Sequence, residues 1–219
     1  MNQAHYISKN IKMPPLFAGI AFFLVFALSS CIVVKYESSE GDGEAVTVIE
    51  LSPKPEIPIS RNVMITNQGD LIAFIPEEWF FVEAAPDSAS PIIAMAVNPD
   101  YSLGLVLTGL PRDNNTAEAF ELEGIAGIGK LSFGLHQAKA GAGLKLAGRM
   151  KTTTIGGSKF CLYDMVLGGG RIGKTAVLVT DSYNYYEITL ITMDVKEKPI
   201  PSEAEIDKIF NSILTTVVY

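Results

Sequence analysis

The stretch TAVLVTDSYNYYEITLITM, residues 175–193, decides the fold class because it contains two strand-like halves around a short polar break. β-branched and aromatic residues dominate both halves, and Asp181-Ser182 separates them, as in a β-hairpin. The second half alternates between two faces, one carrying Tyr186, Ile188 and Leu190 and the other carrying Tyr185, Glu187 and Thr189. This alternation predicts a half-buried strand in a sheet.

Further β-rich runs lie on the N-terminal side of this hairpin. They are residues 71–75, 91–97, 103–108, 151–155 and 159–167. Pro76 ends the first run, because proline lacks the N–H that a strand ladder needs. Residues 98–102, NPDYS, form a turn between the second and third runs, so these two runs predict another hairpin. The chain therefore predicts a mainly antiparallel sheet.

Two helices are predicted beside the sheet. Asn115-Thr116-Ala117-Glu118 resembles a capped helix start, and apolar residues follow it at near-helical spacing up to Leu131. Several glycines weaken this helix or mark loops after it: Gly124, Gly127, Gly129, Gly134, Gly141, Gly143 and Gly148. Ser202-Glu203-Ala204-Glu205 is a capping box that opens an amphipathic helix ending near Leu214. Helices separated by a series of strands predict the α+β class.

The order of these parts resembles the PsbP/Mog1-like (DcrB/PsbP-type) family. The resemblance covers residues 62–214 and includes a strand that runs into Pro76 and Trp79, a hairpin, a helix, antiparallel strands with an Ile155-Gly156-Gly157 turn, and a closing helix. It implies an αβα sandwich around a mainly antiparallel sheet. It also implies a protein without enzymatic activity that binds or helps to assemble larger complexes. None of the family's functional motifs is recognisable here, so no binding residue is carried over.

The N-terminus has the three-part plan of an export signal. Residues 1–12 are polar and contain Lys9 and Lys12, and residues 13–28 read MPPLFAGIAFFLVFAL. The following Leu28-Ser29-Ser30-Cys31 resembles the bacterial lipobox, which implies cleavage after residue 30 and lipid attachment, such as palmitate, at Cys31. The alternative is an uncleaved signal anchor, because the apolar run continues to Val34 and approaches the length that spans a bilayer.

These observations predict three segments. Residues 1–30 are a signal peptide, residues 31–60 are an acidic, proline-rich, flexible tether, and residues 61–219 are the PsbP/Mog1-like domain. Within the tether, residues 46–51 could add an edge strand. The domain is expected to face outside the cytoplasm, anchored to the cell membrane or the outer membrane.

Composition excludes several classes of function. The chain has 17 Lys and Arg against 24 Asp and Glu, which argues against nucleic-acid binding. Its two cysteines, Cys31 and Cys161, lie in different surroundings and predict no disulfide framework. After the signal peptide only one histidine remains, His136, so we expect no metal site.

Residues 168–175, GGGRIGKT, match the phosphate-binding pattern G-x-x-x-x-G-K-[ST]. In a nucleotide site this loop opens a helix, whose N-terminal amides hold the phosphates together with the lysine. Here a predicted strand follows, and Asp181 comes too soon to leave room for a helix. We therefore interpret the motif as a glycine-rich hairpin loop with Arg171 and Lys174 in solvent, and we do not expect ATP to bind.

The other candidate residues have structural interpretations. Glu77 and Glu78 are expected to be exposed turn carboxylates, His136 a polar residue near a helix end, and Cys161 a buried inert thiol. Asn114-Asn115-Thr116 matches a glycosylation sequon but is interpreted as a helix cap. Tyr183, Tyr185 and Tyr186 are assigned to strand packing, with Tyr185 a possible member of a partner-binding surface on the outer face.

The sequence thus predicts a non-enzymatic envelope lipoprotein that binds a protein partner or assists assembly of a membrane complex, with no catalytic, cofactor or metal residues. Two alternatives stay open. An envelope enzyme whose site forms only through tertiary contacts predicts a deep pocket lined by titratable groups. A carrier of an apolar small ligand predicts a dry cavity between sheet and helix.

Overall fold

The computed structural model describes residues 54–83, 90–195 and 198–219, which form two antiparallel sheets and three α-helices. β1 (Ile59–Ile65) and β2 (Ile72–Pro76) make a two-stranded sheet. The large sheet has seven strands: β3 (Phe80–Phe81), β4 (Ile92–Val97), β5 (Leu103–Gly109), β6 (Lys145–Ile155), β7 (Ser158–Val166), β8 (Ile172–Val179) and β9 (Tyr185–Thr192). Their spatial order is β3-β4-β5-β9-β8-β7-β6, so β3 and β6 are the two edges.

The three helices occupy two places in the chain order. α1 (Asn114–Glu123) and α2 (Ile125–Ala140) follow β5, and α3 (Glu203–Leu214) follows β9. The predicted α+β class and the mainly antiparallel sheet are therefore confirmed. Within the described ranges, none of the helices combines the length and the apolar character needed to cross a membrane.

The predicted central hairpin is present as β8 and β9, which pair from Gly173 with Ile191 to Val179 with Tyr185. The expectation of a half-buried strand is wrong for β9. Tyr185 on one face is 6% exposed and Tyr186 on the other is 4% exposed, because helices cover both faces of the sheet. Tyr185 therefore contributes to packing and is not available for a partner-binding surface.

Two apolar cores form on the two faces of the sheet. The first lies between the sheet, the β1–β2 hairpin and α3, and its largest helix side chains are Ile206, Phe210, Ile213 and Leu214. The second lies under α2 and contains Ile125, Ile128, Cys161, Tyr163, Met165, Val177 and Tyr185. A layer of helix on each face of a sheet is the αβα sandwich that the family resemblance implied.

The first helical region differs from its prediction in two ways. The side chain that caps α1 is Asp113, which accepts a hydrogen bond from the Thr116 backbone N–H at 2.9 Å, and not Asn115. The region also forms two helices instead of one. Gly124 separates them, because its φ of 59° is not helical. A positive φ costs glycine little, because it has no Cβ.

Glycines within α2 are required by close packing. A Cβ at Gly127 would lie 2.1 Å from the Ala119 carbonyl oxygen, and one at Gly129 would lie 2.4 Å from Cys161 Sγ. These two glycines let α2 approach α1 and β7, which explains why a sequence of low helix propensity is helical here. Gly134, which we expected to mark a loop, lies inside α2 with open space around it.

β6 begins at Lys145, six residues before the predicted run, and continues through an irregularity between Ala147 and Lys151. Gly148 there has a φ of 84°. Such a bulge adds residues to one strand of a pair and bends it, which is common at sheet edges. The capping box that was predicted for α3 is confirmed, since Ser202 Oγ accepts from the Glu205 backbone N–H and the Glu205 carboxylate accepts from Ser202.

Asp70 joins the β1–β2 turn to the β8–β9 turn. Its carboxylate accepts hydrogen bonds from Thr66, Thr180, Asn184 and Tyr186 at 2.7–2.9 Å. Burial alone would raise the pKa of Asp70, but these four hydrogen bonds outweigh it and lower the pKa to about 2. The carboxylate is thus charged at neutral pH and holds the two turns together.

The predicted signal peptide, Cys31, and the strand at residues 46–51 lie outside the described residues. The tether was expected to end at residue 60, and β1 begins at Ile59.

We predict that Gly127→Ala lowers the free energy of unfolding by about 2–4 kcal/mol, because the added methyl group would overlap the backbone of α1. Gly134→Ala is the matched control and is expected to raise it by up to about 1 kcal/mol, because alanine has the higher helix propensity and nothing lies within 4 Å of the new Cβ. Urea unfolding followed by circular dichroism measures both. Equal effects of the two substitutions would contradict the proposed close approach.

Candidate functional site

The lysine of the phosphate-loop motif is buried and forms ion pairs with two partly exposed carboxylates. Lys174 is 5% exposed, so our placement of its side chain in solvent is wrong. Its Nζ lies 3.0 Å from Asp164 Oδ2 on β7 and 2.6 Å from Asp207 Oδ1 on α3. Burial alone would lower the pKa of Lys174, but the two carboxylates outweigh it and raise the pKa above its usual value. Lys174 therefore fastens α3 to the sheet.

The glycine-rich hairpin loop that was predicted for this motif is present. Residues 168–170 form a tight turn between β7 and β8, and Lys174 and Thr175 lie within strand β8. Arg171 is half-buried and its Nε donates to the Gly168 carbonyl oxygen. A strand thus occupies the place where a phosphate site has its helix, and the absence of ATP binding stays a prediction.

A buried polar network lies between α2 and the sheet. Glu187 on β9 is 3% exposed, and its Oε2 accepts a hydrogen bond from Ser132 Oγ at 2.5 Å. Ser132 Oγ also lies 2.7 Å from the Tyr163 hydroxyl oxygen, and His136 Nε2 lies 3.0 Å from Glu187 Oε1. His136 lies four residues before the last residue of α2, so its predicted place near a helix end is confirmed, and the structure adds the contact with Glu187 that the sequence did not reveal.

This network has the residue types of a hydrolase site in an order that does not suit nucleophilic catalysis. A serine nucleophile needs an imidazole that accepts its proton, with the carboxylate on the far side of the imidazole. Here the carboxylate lies between Ser132 and His136, and the serine hydroxyl points at Glu187. Ser132 is also 0% exposed, so a substrate has no access to it. The group holds α2 on β9, and sequence reasoning missed it because its members are far apart in the chain.

Burial raises the pKa values of two side chains in the layer between α2 and the sheet. Burial and the nearby Glu187 charge raise the pKa of Tyr163, and burial raises the pKa of the Cys161 thiol to about 11. A thiol with a raised pKa forms little thiolate at neutral pH and is a poor nucleophile. The predicted burial of Cys161 is therefore confirmed, and its inertness stays a prediction.

A groove between α1 and α2 has a volume of about 490 Å³. It is open to solvent along one side and is lined by Asn115, Glu118, Ala119, Leu122, Glu123, Gly127, Lys130 and Leu131. Within the described ranges no three metal-ligating side chains form a cluster. Glu77 and Glu78 lie exposed in the turn before β3.

Aromatic side chains are exposed at one edge of the large sheet. Phe80 and Phe81 on β3 are 38% and 43% exposed, and Tyr101 in the β4–β5 turn is 50% exposed. The rings of Phe80 and Tyr101 stack edge to face with centroids 5.4 Å apart. Tyr101 has a φ of 60°, a conformation that is uncommon for a bulky residue. We call these three residues the aromatic edge.

The comparisons with known proteins identify the fold. Eleven solved chains match this structure. The solution structure of cyanobacterial PsbP (CyanoP) from Synechocystis sp. PCC 6803 has a TM-score of 0.50 and 12% sequence identity, and the match covers 72% of this chain and 92% of CyanoP. The fold is PsbP-like. The predicted PsbP/Mog1-like architecture is therefore confirmed. The comparison supports the fold alone, because the sequence identity is 12%.

A second solved structure, from Bacteroides thetaiotaomicron VPI-5482, has a TM-score of 0.37 and 12% identity. The match covers 71% of this chain and 47% of that protein, so this chain spans about half of its length. No family model matches the sequence, and no curated protein matches it.

We predict that Lys174→Ala lowers the free energy of unfolding by about 1–3 kcal/mol, because it leaves Asp164 and Asp207 facing each other without a cation. Lys208→Ala is the control, since Lys208 is exposed on the same helix. Urea unfolding measures both.

In calorimetry Mg-ATP should give no saturable heat. Heat at micromolar ATP that Lys174→Ala abolishes would overturn the hairpin interpretation.

Proposed function

We propose that this protein is a membrane-anchored cell-envelope lipoprotein without enzymatic activity, whose domain binds a protein partner or assists assembly of a membrane complex. The anchor is Cys31, at the end of the lipobox-like Leu28-Ser29-Ser30-Cys31. One short acyl chain holds a protein only weakly to a bilayer, whereas two or three hold it firmly. The domain lies outside the cytoplasm, on the cell membrane or the outer membrane.

The aromatic edge is the observation that supports partner binding most directly. Phenylalanine and tyrosine are enriched in protein–protein interfaces, where they bury a large area with few rotatable bonds. Phe80 and Phe81 lie on β3, the outermost strand among the residues that the structure describes, and Tyr101 lies in the β4–β5 turn beside it. A free strand edge also offers backbone N–H and C=O groups to an extended segment of a partner.

The polar interior supports a non-enzymatic role. Lys174 and Glu187 are buried and Asp70 is half-buried, and each contacts a helix or a hairpin that packs on the sheet. Their partners are protein groups, so these side chains are engaged in packing. The PsbP-like fold agrees with an accessory role, as the family resemblance implied.

We predict that a clickable fatty acid labels the native protein and that Cys31→Ala removes the label, because the thiol is the acylation site. Cys161→Ala is the matched control and should keep full labelling, since Cys161 is buried with a raised pKa. In-gel fluorescence after cell growth with the fatty acid measures both. Equal labelling of the native and Cys31→Ala proteins would refute the anchor.

A second prediction tests the aromatic edge. A photocrosslinking amino acid at Phe81 should give a discrete adduct with one envelope protein in intact cells, because the edge contacts a partner there. The same amino acid at Leu122 is the control, since Leu122 is 75% exposed but lies on α1. The adduct should weaken at least about tenfold in a Tyr101→Ser background. Equal adducts from both positions would contradict a specific site at this edge.

A further inference from the structure

The charges of this acidic chain are strongly segregated. Residues 125–180 contain eight Lys and Arg residues and a single acidic residue, Asp164. The remainder of the chain after residue 30 contains seven basic and 23 acidic residues. The basic stretch builds α2 and strands β6, β7 and β8, which include the β6 edge of the large sheet. The net negative charge of the whole chain therefore does not reveal this basic stretch.

Five of these basic side chains are exposed near the outer edge of the large sheet. We call them the basic edge, and they are Lys139, Lys145, Arg149, Lys151 and Lys159. Lys145, Arg149 and Lys151 lie on β6 itself, which is the last strand of the sheet. Two other cations of the stretch are engaged, Lys130 with Glu123 and Lys174 with Asp164 and Asp207. Strand β6 therefore presents three exposed cations and contains no acidic residue, whereas Lys159 shares β7 with Asp164.

The register places part of this edge on the side of the sheet that α3 covers. Lys151 pairs with Leu162 and Lys145 with Val166 on β7, and residues opposite each other in a pair point to the same face. Leu162 packs against the core beneath α3, which identifies that face. The described chain also begins on this side, since the Glu56 backbone N–H donates to Ser212 Oγ of α3 at 2.9 Å. The tether thus enters on the side where these lysines project.

We infer that the basic edge docks onto an anionic phospholipid bilayer and sets the orientation of the anchored domain. Lys54 follows Cys31 by 23 residues, a segment that reaches about 75 Å when fully extended, so the tether alone imposes no orientation. Near a negatively charged surface the acidic remainder of the domain is repelled while the basic edge is attracted. This inference rests on the proposed lipid anchor.

The chemistry of the edge favours lipid headgroups over a protein. Four of its five cations are lysines, a residue type that is depleted in protein–protein interfaces, whereas arginine and aromatic residues are enriched there. Lysine ammonium groups act as point charges on flexible stems, which suits mobile phosphates that impose no fixed geometry. The bulge in β6 and its cations also disfavour the addition of another strand at this edge.

The docked orientation has a consequence for the partner. The basic edge on β6 and the aromatic edge on β3 are at opposite ends of a seven-stranded sheet. Strands are spaced by about 4.8 Å, so the two edges are separated by about 29 Å. A domain that rests on lipid through β6 therefore holds Phe80, Phe81 and Tyr101 away from the bilayer, where a partner can reach them.

The test uses the full acylated chain in vesicles that carry a headgroup quencher. Cys31 is blocked by acylation and Cys161 is buried, so a dye reacts selectively with an introduced cysteine. One variant carries the dye at Thr154→Cys on β6, and the other carries it at Glu83→Cys beyond β3. Vesicles contain either phosphatidylcholine alone or phosphatidylcholine with about 30% phosphatidylglycerol.

We expect quenching of the Thr154→Cys dye, but not of the Glu83→Cys dye, to rise at least about threefold in the anionic vesicles and to disappear in about 0.5 M NaCl. The triple variant Lys145→Gln, Arg149→Gln, Lys151→Gln should lose this rise. The control triple Arg61→Gln, Lys198→Gln, Lys208→Gln removes the same charge elsewhere and should keep it. Equal quenching of the Thr154→Cys dye in both lipids, or equal behaviour of the two triple variants, would overturn the inference.

Flotation with the neutral vesicles distinguishes failure of this inference from failure of the anchor. If the native chain floats with neutral vesicles and the Cys31→Ala chain floats less, the anchor holds and the dye measurements judge the basic edge alone. If both chains float equally, acylation is not the anchor, and a salt-sensitive rise in flotation with anionic vesicles still supports the basic edge. Unchanged flotation with anionic vesicles in that case would refute it.

Discussion

The structure depends on the burial of β8 and β9 on both faces. Apolar or aromatic side chains lie on each side of them, together with a few buried polar ones, and leaving either side in water would forgo the free energy that drives folding. Both faces must therefore be covered, which is why the chain needs α3 with the β1–β2 hairpin on one face and α2 on the other. The two-sided hairpin thus dictates the three-layer architecture, and the outer strands extend a sheet whose centre is already fixed.

Polar contacts define how those outer layers are placed. Lys174 bridges β7 and α3 through two carboxylates, Glu187 holds α2 through Ser132 and His136, and Asp70 ties two turns together. A buried charge is costly unless it is paired and hydrogen-bonded, so each of these contacts favours one placement of its layer over others. These three ionisable side chains are therefore engaged in contacts that stabilise the fold.

Burial of the centre leaves the two edges of the sheet for interactions. The β3 edge exposes aromatic rings, and the β6 edge exposes lysines and an arginine on an otherwise acidic protein. Aromatic surface suits a protein partner, whereas dispersed lysines suit the diffuse negative charge of lipid headgroups. An anchored domain with these two edges would contact the membrane on one side and a second protein on the other, as the proposed function requires.

The sequence by itself determined most of the strands, the β8–β9 hairpin, the capping box of α3 and the α+β class, because alternation, turn residues and caps act over a few neighbouring positions. It did not predict β1 or β3. Tertiary structure decided what depends on distant partners. Gly127 and Gly129 look like helix breakers until Ala119 and Cys161 show why they are needed. Lys174 and His136 are isolated in sequence, and their carboxylate partners lie up to 51 residues away. Burial of Tyr185 required the helix that covers it, which no local pattern specifies.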